Sequence, residues 1–292
     1  MHGISAHGVS GDLDDAEVSS VATVLIEPKE RWFNLELREL WERRELLYFF
    51  AWRDIKARYA QAVLGTGWAI IQPLAAMAIF TVVFSYWAKL PSEGVPYPLF
   101  AFAALLPWTL LSKSLERSGS SVVSESNLIK KVYFPRLIIP IAATIAGVMD
   151  FLVAFVLLLA LMLWYGIGLT WGIILIPVFI VMTIATSLAV SLWLSAINAR
   201  YRDVAGTIPL LSQLWMYASP VVYPVSIVPE QWQWVYACNP MVGVIEGFRW
   251  ALLGTPMPNM GLFLMTFMIV SVVLFGGAVF FKRMERTFSD VV

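Results

Sequence analysis

Charge, cysteine and histidine are all scarce in this chain, and each scarcity removes a class of function. Of its 292 residues 14% are charged and 59% hydrophobic, with a mean hydropathy of +0.75; a soluble domain has roughly 25% charged residues. No water-facing fold has interior enough to hide that much apolar surface, so the bilayer must act as solvent for most of the chain. The single cysteine, Cys238, excludes an internal disulfide and leaves the compartment unassigned by cysteine usage. His2 and His7 are the only histidines, and with one cysteine they make no metal-ligand constellation, so no metal is expected. The stretch from Gly3 to Ser10 has the glycine spacing of a phosphate-binding loop but neither its lysine nor a preceding strand. ATP is therefore not expected to bind there. The first residues are polar and acidic (Asp12, Asp14, Asp15, Glu17) and no basic stretch leads into an apolar core, which predicts no cleaved signal peptide.

What the chain has in quantity is long apolar runs. About 20 such residues cross the hydrocarbon core, and six segments qualify: 68–88, 97–112, 137–165, 171–197, 207–227 and 261–281. The second contains Pro107, and the fifth is broken by Pro209, Pro220 and Pro224. Basic residues test the topology independently. Six crossings put eight of them before the first span, five in the second loop, two in the fourth and three after the last. That leaves Lys89 and Arg249 alone on the other side and puts both termini in the cytoplasm. The expected fold is an all-α integral membrane protein with six transmembrane helices.

Three further segments stand out. Over 34–59 apolar residues (Leu37, Leu40, Trp41, Leu47, Tyr48, Ala51, Ile55, Tyr59) recur at helical spacing, with charged residues largely on the other faces. This predicts an amphipathic helix lying in the membrane plane, although such a helix also suits packing on a soluble domain. The second loop, 113–136, is Ser-rich at Ser118–Ser121, and 122–132 suits a short helix. In the outer segment 228–259, residues 241–253 are too few to cross and too apolar for water, so a re-entrant or interfacial helix is expected. The domain division is a polar tail over 1–33, an interface helix over 34–63 and a permease domain over 64–292.

Enzyme chemistry needs convergent acids, bases or nucleophiles, and the spans supply one carboxylate, Asp150, and no histidine. A lone acid at membrane depth is a functional candidate; its plainer role is a hydrogen bond or ion pair between helices. Trp215, Tyr217 and Tyr223 fall in the broken fifth span, and Trp232, Trp234 and Tyr236 crowd the outer segment. Aromatic faces suit sugar C–H faces, but belts and packing account for them equally. Glu246 and Arg249 have the i,i+3 spacing of a local salt bridge.

Several of these stretches also resemble a known family. Arg53–Tyr59 (RDIKARY), then Leu64-Gly65, Trp68 and Gln72-Pro73, is similar to the segment before the first span of ABC export permeases for polysaccharides. Asn127–Arg136 (NLIKKVYFPR) with Pro140 resembles that family's second-loop motif, and Asn239-Pro240 with Arg249 its outer re-entrant segment. The resemblance runs from about Leu46 to the C-terminus. It implies a type-2 ABC transporter membrane subunit, not itself an enzyme, of the kind that exports O-antigen, capsule or teichoic acid across the cytoplasmic (inner) membrane. Such permeases form a homodimer that pairs with two copies of a separate ATPase subunit, which binds ATP and Mg; no cofactor is implied in this chain. By the same resemblance, Ser126, Asn127, Leu128, Ile129, Lys130 and Lys131 form the coupling helix that docks on the ATPase. Arg53, Lys56, Arg58 and Tyr59 face the lipid head-group region, and the basic ones are candidates for a lipid-linked pyrophosphate. Trp215, Tyr217 and Tyr223 are candidates for a glycan channel, with Asn239, Glu246 and Arg249 on the outer segment. A permease for a drug or another lipid, a membrane enzyme of glycan assembly and a structural scaffold are the competing readings.

Overall fold

The computed structural model describes residues 37–60, 65–132, 134–201 and 203–291, and every regular element among them is helical. The tail 1–33, with its glycine-spaced stretch, lies outside the described residues, as do 34–36, 61–64, Tyr133 and the side chain of Tyr59. Two helices come first, α1 (Leu37–Glu42) and α2 (Arg44–Ala60). The single helix expected over 34–59 is thus interrupted at Arg43, although the Arg43 N–H still donates to the Glu39 carbonyl at 3.0 Å. α3 (Gly65–Phe80) continues as a π-helical stretch, Thr81–Trp87. Then follow α4 (Tyr97–Ser124), α5 (Ser126–Lys131), α6 (Ile138–Trp164) and α7 (Ile176–Arg200). The rest is α8 (Val204–Tyr217), α9 (Glu230–Tyr236), α10 (Pro240–Leu253) and α11 (Met260–Val291).

Five helices among the described residues are long and apolar enough to cross a membrane: Ile70–Trp87, Tyr97–Lys131, Ile138–Trp164, Trp171–Arg200 and Met260–Glu285. The second is longer than the expected 97–112. Lys113 and Arg117 do not end it, and its serines satisfy themselves on the helix backbone: Ser120 Oγ donates to Glu116 O, Ser121 Oγ to Ser118 O and Ser124 Oγ to Ser120 O. At 1.5 Å per residue α4 is about 42 Å long, more than the roughly 30 Å hydrocarbon core, so one end projects beyond it. In its crossing window 78% of residues are buried, against 6% for the first span and 17% for the last. α4 is therefore the axis, with Leu99, Phe102, Leu106 and Leu111 essentially inaccessible, and α6, α7, α8 and α10 packed around it.

The fifth segment departs from the expectation of one span over 207–227. Its helix, α8, has 14 residues and ends at Tyr217, after which the chain turns through 218–223 into Pro224. Pro220 and Pro224 have no N–H to extend the ladder. Carbonyls left open in an apolar setting need other donors. Arg249 supplies them to Val221 O (2.9 Å) and Tyr223 O (3.5 Å), and the Tyr97 hydroxyl donates to Val222 O (2.7 Å). The break is held by side chains from α10 and α4.

α10 begins at Asn239, whose side-chain oxygen caps the Met241 N–H at 3.0 Å, and ends at Gly254 in the left-handed region (φ 69°). All its residues except Pro240 and Trp250 are buried. Its last turn is met by the turn before α7, where Thr170 Oγ1 donates to Ala251 O at 2.5 Å and Trp171 sets its ring edge-on to Trp250. Gly172 makes this approach possible. A Cβ there would lie 2.9 Å from Ala251 Cα and 3.1 Å from Ala251 O, backbone atoms that can yield only if α10 shifts. Gly172→Ala is expected to cost about 1–3 kcal/mol, read as a lower thermal unfolding midpoint in detergent. An unchanged midpoint would refute the close approach.

Candidate functional site

Towards the end of α4 near Ser124, Asp150 on α6 gathers three cations around one carboxylate oxygen. Its Oδ2 lies 2.6 Å from Arg58 Nη1 on α2, 3.1 Å from Arg117 Nη2 and 3.8 Å from Lys113 Nζ on α4. The Asp150 side chain is 10% exposed, too buried for water to replace these partners. Twelve residues of α6 separate it from Ile138, about 18 Å along the axis. The ion pair between helices read from the sequence is therefore present, and larger than a pair. Lys113 and Arg117 carried a signal that sequence reading did not use: i,i+4 spacing puts them on one helix face. The cluster lies between two recesses. One, of about 320 Å³, is lined by Gln72, Phe80, Trp108, Lys113 and Asp150 among others. The other, a groove of about 360 Å³ between α2, α4 and α6, includes Arg53, Arg58, Arg117 and Glu125.

α5 coincides with the expected coupling residues Ser126, Asn127, Leu128, Ile129, Lys130 and Lys131. Ile129 is buried with Phe50, Phe134 and Ile138, whereas Asn127, Lys130 and Lys131 are exposed. The helix thus presents a basic outer face on an apolar root. The three described head-group candidates do not converge. Arg53 donates to Asp54 Oδ1 (2.9 Å) and Glu125 Oε1 (2.5 Å), Arg58 is committed to Asp150, and Lys56 is exposed. Partial burial opposes the Arg53 charge, but the hydrogen bonds from Glu125 and Asp54 outweigh it and raise its pKa above the usual arginine value.

The second polar centre is Arg249, fully buried on α10. Besides the two carbonyls of the α8 break, it bonds Glu246 Oε1 at 3.0 Å and Phe100 O at 3.3 Å, and its guanidinium stands 3.5 Å from the Phe100 ring centroid. The i,i+3 pair expected from sequence is thus one contact of a larger anchor. Beside it, Trp215 Nε1 donates to Asn239 Oδ1 (2.9 Å), and Asn239 Nδ2 donates to Ala218 O (3.0 Å) and Ser219 Oγ (2.9 Å). Of the three aromatic channel candidates, Trp215 lines a recess of about 400 Å³ together with Trp232, Tyr236 and Asn239. Tyr223 reaches it indirectly, through a 3.1 Å hydroxyl contact with Tyr236. The Tyr217 ring is exposed, and only its carbonyl takes part, accepting from Tyr223. Trp232 and Tyr236 belong to this recess by position, which their sequence spacing does not reveal.

The sequence that builds these elements is similar to known proteins. A family profile described as ABC-2 type transporter matches residues 45–253, from α2 through α10. The chain belongs to the ABC-2 type transporter family. Among its relatives in that family, the O-antigen export system permease protein RfbA of Myxococcus xanthus is 31% identical over 255 residues, covering 86% of this chain and 96% of the relative. A protein of the same description from Klebsiella pneumoniae is 27% identical over 209 residues, 70% of this chain and 79% of that one. The polysialic acid transport protein KpsM of Escherichia coli is 26% identical over 216 residues, 69% and 78% of the two chains. The ABC-2 region begins inside α2 and so includes Arg53, Arg58, the Asp150 cluster, α5 and the Arg249 anchor.

Asp150 holds its cluster together, so its loss leaves three cations facing one another. Asp150→Asn is expected to destabilise this ABC-2 protein by about 3 kcal/mol, the low end for a broken buried pair, because the cations are 23–29% exposed. Arg58→Gln should cost less, since Lys113 and Arg117 remain. Thermal unfolding in detergent tests this; an Asp150→Asn midpoint equal to the parent's would rule the cluster out as a structural centre.

Proposed function

We propose that this ABC-2 protein is the membrane-spanning permease of an ATP-driven exporter that moves a lipid-linked polysaccharide across the cytoplasmic membrane. The observation that carries the reading is the alignment with the Myxococcus O-antigen export permease along nearly the whole of both chains. The proposed topology has six crossings with both termini in the cytoplasm. α8 with the irregular stretch after it makes the fifth crossing, and α9–α10 the outer re-entrant segment. The basic residues support it, since 18 of the 20 then lie on the cytoplasmic side. Two permeases and two ATPase subunits make the assembly, with ATP and Mg on the ATPase.

α5 is the element this ATPase would grip. Its exposed Asn127, Lys130 and Lys131 offer a polar docking face, and buried Ile129 ties that face to the helices behind it. For the glycan path, Trp215, Trp232 and Tyr236 provide an aromatic wall, and Asn239 a hydrogen-bonding edge; Tyr217 and Tyr223 join only from the margin. Among the described head-group candidates only Lys56 is exposed, so it is the one the pyrophosphate role rests on.

The whole reading is tested by purifying the permease with a candidate ATPase subunit from the same host and following the glycan in cells lacking the permease. Lipid-linked glycan should accumulate on the inner leaflet; its normal appearance at the surface would refute the function. Replacing both Lys130 and Lys131 with Glu should abolish export while membrane insertion stays intact. Trp215→Ala should slow export yet leave ATP hydrolysis measurable, and normal export would remove Trp215 from the path.

A further inference from the structure

We propose that one turn of α2 grips both flanks of α5, so that the two helices move as a single lever, with Arg53 and Glu125 as its positioning residues. This rests on the reading of α5 as the ATPase-docking element and goes beyond it by naming where a displacement of α5 is delivered.

Glu125 is the non-helical residue (φ −95°, ψ 17°) at which α4 ends and α5 begins. Its carboxylate accepts from Arg53 Nη2 at 2.5 Å. On the far side of α5, Phe134 is buried and stacks on Phe50, with ring centroids 5.8 Å apart and planes inclined by 30°. Phe50 and Arg53 are three residues apart on α2 and therefore share a face, and the Arg53 guanidinium lies 4.8 Å from the Phe50 ring centroid. Glu125, Arg53, Phe50 and Phe134 thus form a bracket around α5, with Ile129 of α5 buried in the same cluster.

A short helix between flexible joints would absorb a push at its exposed face. Here neither joint is free to give. The ion pair links α2 to the α4–α5 junction, and the buried aromatic pair holds Phe134 against α2 beyond the end of α5. Just beyond it, Arg136 is tied to α11: its N–H donates to Glu285 Oε1 at 3.2 Å and its guanidinium to the Glu285 carbonyl. The same α2 carries Arg58, five residues past Arg53, into the Asp150 cluster. A movement of α5 is therefore handed to α2 and, through Arg58, to α6 and α4. This is a physical connection of packed and charged groups rather than mere proximity. It also assigns Arg53 to force transmission instead of head-group contact.

The test uses the complete permease–ATPase complex and the host strain's own surface polysaccharide as probe. Glu125→Arg and Arg53→Glu are made singly and together in cells lacking the native permease. Surface polysaccharide, ATPase retained on the tagged permease and ATP hydrolysis by the purified complex are measured. Each single reversal should lower polysaccharide displayed relative to ATP hydrolysed by at least about threefold, a typical coupling for residues in contact, with the ATPase still bound. The double reversal should restore it. Singles that export normally, or a double no better than either single, would overturn the bracket. Should a reversal fail to reach the membrane, Glu125→Gln keeps the shape and removes the charge; it should show a partial loss, and normal coupling in that variant overturns the proposal equally. The charge reversal of Lys130 and Lys131 separates the two readings. If it leaves ATPase retention and export unchanged, α5 is not the docking element; if it abolishes them while the Glu125 variants export normally, only the bracket fails.

Discussion

In hydrocarbon a polar group has no water to fall back on, and this fold is organised around that constraint. Helices answer it for most of the backbone. Where the chain abandons helical geometry after Tyr217, side chains supply the answer: Arg249 serves two carbonyls of the break, a carboxylate and a carbonyl of α4 at once, and Tyr97 and Asn239 serve two more carbonyls of the break. A guanidinium suits the task because its five donors lie in one fixed plane. The break frees the segment after α8 to fold back as α9 and α10 and to build the aromatic recess around Trp215 and Asn239.

The second solution, at Asp150, has the opposite sign. One carboxylate is shared by Arg58, Arg117 and Lys113, so α2, α4 and α6 meet on a single oxygen. A shared hub of this kind is costly to form and costly to dissect, and it ties the N-terminal helix to the central axis. α2 thereby has two surfaces. Phe50 and Ala51 are buried, while Trp41 on α1 and Tyr48, Phe49 and Trp52 on α2 stay exposed. The apolar residues that recur at helical spacing in the sequence do not share one packed face: Ala51 is buried, whereas Trp41 and Tyr48 are exposed.

These two centres do different structural work. Arg249 holds the break after α8 beside the aromatic recess, and Asp150 joins α2 to α4 and α6. α4 links them, with Phe100 under Arg249 and Lys113 and Arg117 at Asp150, and is the most buried helix of the five.

Sequence reasoning reached the bilayer as solvent, four spans nearly residue for residue, the i,i+3 pair on α10 and, at Asp150, a hydrogen bond or ion pair between helices. Each is written in composition, in local periodicity or in the rule that a buried charge needs a partner; the bounds of α5 came instead from the family resemblance, since the residues alone suggested 122–132, whose first three residues belong to α4. It ended the second span at the first lysine, because hydropathy registers the charge of Lys113 and not the helix that carries it past the hydrocarbon. What only the tertiary structure decided is who meets whom: Arg58 with Asp150 across 92 residues, Arg53 with Glu125 across 72, Arg249 with Phe100 across 149. A repeat along one helix reveals which face is apolar; which neighbour lies against that face, and in what register, is fixed by all the helices packing at once.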